Sequence, residues 1–302
     1  MVKQFAERKV TMSTLSRTAD ETAAYLAEQM YHKATAPARK SFALAVMAGF
    51  LIGLGFVFYT TTQMGAVHAE WYGLTKLVGG VSFSVGLILV ILTGADLFTS
   101  TTMTLIPLTE HRIRAGQWAK HWGIVYLGNF TGALVLAALI VASGTYMQGE
   151  GAWGAVAMSA AMGKLSHSWG QAFVLGILCN MLVCLAIWAS YTGKTTADKI
   201  LAAFAPIALF VATGFEHSVA NMFLIPMAIA TSRMVGPEFW TSEGPVALGL
   251  DPSATGTLTV QSFLLDNLIP VTLGNIVGGG LMIGMFFWWT HAKAGSTSAS
   301  RR

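Results

Sequence analysis

Charge is scarce in these 302 residues: Asp, Glu, Lys and Arg make up 11%, while 54% are hydrophobic. Soluble domains carry roughly 25% charged residues, so the chain lacks the polar residues to coat a water-facing globule. Cysteine is nearly absent. Cys179 and Cys184 lie five apart in one apolar stretch, which excludes a disulfide or thiolate–metal framework and leaves two packing residues. There is neither a histidine cluster nor a Cys–His site, so nothing points to an enzyme, a cofactor or a metal. The net charge of +4 is small and unevenly spread, which fits membrane orientation better than nucleic-acid binding. With 32 glycines and a mean hydropathy of +0.60, the class is an integral membrane protein.

Marking every charged residue leaves uncharged stretches at 41–69, 121–149, 165–193 and 267–292. Each exceeds the ~20 residues an α-helix needs to cross about 30 Å of hydrocarbon. Two further apolar stretches, 77–109 and 200–232, are each interrupted by one acid, Asp96 and Glu216. Six spans follow, and their continuity excludes the alternation of barrel strands. The first run is long enough to stay in the bilayer, so no cleaved leader is read into it. The nine tryptophans, Trp153 among them, fall near predicted span ends, as an interfacial belt requires.

Lys and Arg set the orientation. Residues 1–40 hold seven, the 2–3 loop three, the 4–5 loop two and the C-terminus three, against one each at Lys76, Lys164 and Arg233. Both termini are therefore expected in the cytoplasm. Within the 1–40 segment, residues 15–34 mix charge with Ala, Leu, Tyr and Met at helical spacing. Two readings stand: an amphipathic helix on the membrane face or capping a pore, or a partly ordered tail. Residues 41–292 form the membrane domain, and 293–302 are expected to be disordered.

The chain repeats itself. VYLGNFTGA from Val125 matches VTLGNIVGG from Val271, and FALAVMAGFLI from Phe42 matches FVLGILCNMLV from Phe173. Gly94-Ala95-Asp96 followed by Leu105-Ile106-Pro107 matches Gly214-Phe215-Glu216 followed by Leu224-Ile225-Pro226. Three spans per half is an odd number, so the second copy enters upside down: an inverted 3+3 repeat, all-α, with spans 2 and 5 broken. Backbone leaves a helix at membrane depth only where protein buries it or where it lines a cavity. Asp96 and Glu216, with Asn221, read as caps for the backbone N–H groups of the second half-helices, or as contacts for a cargo. His217, at the second break, can give a small anion a hydrogen bond or a proton, and the Thr99 hydroxyl faces it from the first break. Asn180 within span 4 either lines the same cavity or bonds helix to helix.

The segments KLVGG with FSVGLILV, GADLFTST, VYLGN, GFEHSVANMFLIPM and DNLIPVTLGNIVGGG resemble the formate/nitrite transporter family, most closely its formate channels. The resemblance runs from about Lys40 to Trp289. It implies an aquaporin-like protomer, a homopentamer with one pore per protomer, and residence in a bacterial inner membrane. It also implies His217 as the central histidine, Thr99 as the loop threonine, Asn180 near that histidine, and Lys164 as the periplasmic lysine that attracts anions. Leu97, Phe98 and Val183 match the family's cytoplasmic constriction; Phe83, Leu87 and Phe210 match its periplasmic one. The longer N-terminus and the loop 232–262 depart from the pattern. The paired Asn-Pro-Ala boxes of water channels are missing.

Formate leaving as anion, or entering with a proton at low pH, is the expected traffic. Nitrite or hydrosulfide is the alternative within the fold. From a different class, the chain is a membrane scaffold whose N-terminal helix docks a cytoplasmic enzyme. Orientation is open to direct test. Reporter fusions are expected to put residues 1–40, 112–120, 194–199 and the C-terminus in the cytoplasm; a periplasmic signal from either terminus would overturn the six-span pattern.

Overall fold

The computed structural model describes residues 16–65 and 70–292. The start of the 1–40 segment, residues 66–69 and the tail 293–302, whose disorder is expected, lie outside the described residues. Within them, regular structure is helical apart from one isolated bridge between Ser16 and Gly193.

Helix α1 (Ala19–Thr35) starts at a capping box, in which the Thr18 hydroxyl accepts from the Glu21 N–H and the Glu21 carboxylate from the Thr18 N–H. It is a docked helix rather than a loose tail. Leu26, Ala27 and Met30 are buried in a cluster with Met103, Ile106, Ile187 and Ile283, where each large aliphatic side chain contributes about 1.5–3 kcal/mol. Then come α2 (Ala38–Gln63), α3 (Tyr72–Thr93), a kinked α4 over 98–109, and α5 (Ala115–Ala142). The second half holds α6 (Ala152–Leu165), α7 (Trp169–Thr192), α8 (Thr196–Ala212), α9 (Ser218–Met234) and α10 (Ser262–His291). Among the described residues, five helices are long and apolar enough to cross a membrane: α2, α3, α5, α7 and α10. The remaining expected span, the fifth, is α8 and α9, which follow one another across a break.

Helix α6 is absent from the sequence reading. Its 14 residues are too few to cross, and it is sunk into the bundle by Trp153, Met158 and Ala161. Trp153 therefore leaves the expected belt: it is fully buried and its indole N–H donates to Thr61 Oγ1 at 3.1 Å. Trp71, Trp169 and Trp289 are exposed, as a belt requires.

Both breaks are built alike. Gly94 (φ 69°) and Gly214 (φ 76°) take left-handed backbone that only glycine adopts freely. The next N–H, of Ala95 or Phe215, turns back to the carbonyl of Val90 or Phe210 at 3.1 and 3.0 Å. The N–H of Asp96 then reaches the Leu44 carbonyl of α2, and that of Glu216 the Leu175 carbonyl of α7. Leu44 and Leu175 hold the same place in the two repeats. Elsewhere small residues bring backbones together. A Cβ at Gly132 would fall on the Val46 carbonyl oxygen, and one at Gly278 on that of Ile177. These glycines close the Gly-x-x-x-Gly pairs Gly128/Gly132 and Gly274/Gly278, which seat α5 on α2 and α10 on α7. Gly132→Val or Gly278→Val is expected to cost at least about 1–3 kcal/mol by overpacking and to lower the thermal midpoint in detergent. An unchanged midpoint would show that these contacts do not hold the repeats together.

Candidate functional site

A helix that restarts inside a membrane exposes N–H groups with no intrahelical partner, while the peptides before it leave carbonyls open. Two asparagines answer both needs. Asn129 Oδ1 accepts from the Phe98 N–H at 2.8 Å, and its Nδ2 donates to the Ala45 and Asp96 carbonyls, each at 2.8 Å. Asn275 Oδ1 accepts from the Ser218 N–H at 3.0 Å, and its Nδ2 donates to the Gly176 and Glu216 carbonyls at 2.8 and 3.0 Å. These are the asparagines of the repeated Leu-Gly-Asn motif. The amide serves because it both donates and accepts.

Asp96, Glu216 and Asn221 are thus not the caps. A carboxylate only accepts, and both acids are occupied. Lys33 of α1 reaches Asp96 Oδ1 at 2.7 Å, and Lys164 of α6 reaches Glu216 Oε1 at 2.8 Å. Glu216 Oε2 also accepts from Asn221 at 2.7 Å and from Asn267 at 3.2 Å. Asn221 therefore holds the acid, and Asn267 braces it from α10. Each repeat brings one lysine from a peripheral helix to the acid at its break. The sequence reading missed Lys33, Asn129, Asn267 and Asn275. The duplicated Leu-Gly-Asn was the available signal for two of them.

His217 and Thr99 meet. His217 Nε2 lies 3.1 Å from Thr99 Oγ1, and both side chains are buried. The Ala220 N–H donates to His217 Nδ1 at 3.1 Å. That nitrogen needs its lone pair, so the ring proton sits on Nε2 and points at the threonine oxygen. Asn180 stays off the imidazole: it donates to the Thr99 carbonyl at 3.0 Å and the Asn275 carbonyl at 2.6 Å. Of its two readings, the helix-to-helix bond is the one this geometry has, and it fixes the loop that carries Thr99.

Two cavities approach this pair from opposite helix ends and share no lining residue. One, of about 310 Å³, opens between the ends of α2, α6 and α8 and the start of α3; His217, Phe83 and Phe210 line it, with Lys164. The other, of about 290 Å³, opens under α1 and reaches Gly94, Asp96 and Ser100. Phe210 stacks on His217 with ring centroids 5.9 Å apart, and Phe83 meets Phe210 edge-on at 5.7 Å. Leu87 is buried in the same core. Leu97, Phe98 and Val183 are buried as well and line neither cavity; the Phe98 ring packs edge-on against Tyr126 at 4.8 Å.

Known proteins are similar to this chain in sequence and in fold. Residues 20–289 match the formate/nitrite transporter family. The formate channel FocA of Haemophilus influenzae is 47% identical over 93% of this chain and 97% of its own. The FocA of Escherichia coli K12 is 46% identical over 93% and 94%. A solved structure described as a pentameric formate channel with formate bound is 42% identical, with a TM-score of 0.76 over 83% of this chain and 96% of that one. A family model matched over residues 20–289 and relatives 46–47% identical over 93% of the chain make this chain a member of the formate/nitrite transporter family.

Proposed function

We propose that this chain is a channel for formate in the bacterial inner membrane, a homopentamer with one pore per subunit and both termini in the cytoplasm. Relatives at 46–47% identity carry the name formate channel, and a matching structure is a formate-bound pentamer. The observation that carries the reading is the pair of His217 Nε2 and Thr99 Oγ1, 3.1 Å apart and buried between two cavities.

A bare anion in an apolar constriction costs several kcal/mol even after relaxation. A small weak acid lowers that cost by accepting hydrogen bonds or by taking up a proton. Formate entering between His217 and Thr99 replaces their mutual bond with two bonds to its own oxygens, one from the imidazole N–H and one from the hydroxyl. With Nδ1 engaged by Ala220, the resting imidazole offers a hydrogen bond. Passing a proton requires the imidazolium, whose formation displaces the Ala220 N–H. Phe83, Leu87 and Phe210 on the periplasmic side, and Leu97, Phe98 and Val183 on the cytoplasmic side, keep water from bridging the cavities. Asn180 acts as a positioning residue for Thr99. Flow runs outward as anion, and inward with a proton as pH falls.

Flux through the pure protein in liposomes tests this, with formate, nitrite, hydrosulfide and lactate compared. Formate is expected to pass fastest. A tight, flux-free protein would leave the scaffold reading, and faster nitrite or hydrosulfide would reassign the substrate. The proton step has its own variant. His217→Asn is expected to cut inward flux steeply at mildly acidic pH while outward anion flux falls less, because an amide donates a hydrogen bond and takes up no proton. A wild-type pH profile in both directions would make His217 structural.

A further inference from the structure

Resting on the anion-channel reading above, we propose that Lys76 at the outer mouth, and Lys40 with Lys199 at the inner mouth, recruit the permeant anion, in place of the break lysines Lys164 and Lys33. Both break lysines are spent on carboxylates. Lys164 Nζ lies 2.8 Å from Glu216, whose side chain is 1% exposed, and Lys33 Nζ lies 2.7 Å from Asp96, at 3%. A close ion pair presents a dipole to an approaching anion and no net charge.

The remaining charge is easy to locate. Apart from Lys164 and Glu216, the one formally charged residue lining the outer cavity is Lys76. Among the described residues it has no ion pair; its Nζ lies 5.3 Å from the centroid of the Tyr72 ring. A cation–π contact holds an ammonium without neutralising it. His167 adds charge only when protonated, and it already faces Glu216 at 3.9 Å. In the inner cavity, beyond Lys33 and Asp96, the formally charged lining residues are Lys40 and Lys199, again without ion pairs among the described residues. His32 there is turned to Glu28 at 3.1 Å. Among the described residues, each mouth therefore keeps net positive charge on lysines without an ion pair. A cavity of about 310 Å³ is comparable in width with the roughly 8 Å Debye length at physiological ionic strength. Low-dielectric walls focus such a field into the mouth.

Side-specific screening tests this. Formate flux is measured in proteoliposomes whose insertion direction is fixed by tag accessibility, with ionic strength raised from about 20 to about 200 mM in one compartment at a time and osmolarity balanced. Salt on the outer side is expected to slow wild-type flux about threefold, a modest share of the steering a charged cleft supplies. Lys76→Gln is expected to start that much slower and to lose the response to outer salt while keeping the response to inner salt. Lys76→Arg should behave as wild type, and Lys40→Gln with Lys199→Gln should show the reverse pattern. If Lys76→Gln keeps the full response to outer salt, recruitment lies elsewhere and the proposal is wrong. A wild type without formate flux would instead overturn the function on which it rests.

Discussion

The structure depends on satisfying two broken backbones inside a membrane. Lipid offers no hydrogen-bond partner, and each buried unpaired peptide group costs about 1–3 kcal/mol. Asn129 and Asn275 each tie together three strands of chain: the restarting half-helix, the carbonyl of the acid before it, and a carbonyl of the first span in the same repeat. Because both breaks are closed in this way, Thr99 and His217 arrive at one place from opposite directions. The bond between them is a consequence of the caps.

The acids do a separate job. Each draws a lysine from a helix that does not cross: Lys33 from α1, Lys164 from α6. The two helices are thereby equivalent, and the inverted repeat gains a peripheral member in each half. A buried carboxylate with its ammonium in place tolerates low dielectric, whereas either alone is expensive. Pairing leaves neither acid as a bare charge near the His217–Thr99 pair.

Much of this was legible in the sequence, and the rest fails for identifiable reasons. Hydropathy located the spans, because continuous apolar runs are what lipid demands. The breaks were visible because Gly94 and Gly214 are followed by acids at matched positions. The pairing of His217 with Thr99 followed from setting one break against the other. The caps were misassigned because an acid next to a break is the usual local candidate, whereas Asn129 and Asn275 come from distant helices and declare themselves only once spans are packed. Helix α6 escaped notice because 14 apolar residues between two spans look like a loop. Lys33 escaped because nothing in its own segment says which face of α1 meets the bundle. The tryptophan rule failed at Trp153 for the related reason that proximity to a span end does not distinguish a lipid-facing ring from one buried under α2.

The central claim is that amide caps at the breaks build the passage, and replacing one of them tests it most directly. Asn275→Leu keeps the branched outline but strands the Ser218 N–H and the Gly176 and Glu216 carbonyls; Asn275→Asp restores only the acceptor. Thermal midpoint in detergent and formate flux in liposomes are measured together for both variants. The expected result is a fall in midpoint and flux for each, with the stranded groups costing about 1–3 kcal/mol apiece. An Asn275→Leu protein with wild-type midpoint and wild-type flux would contradict it.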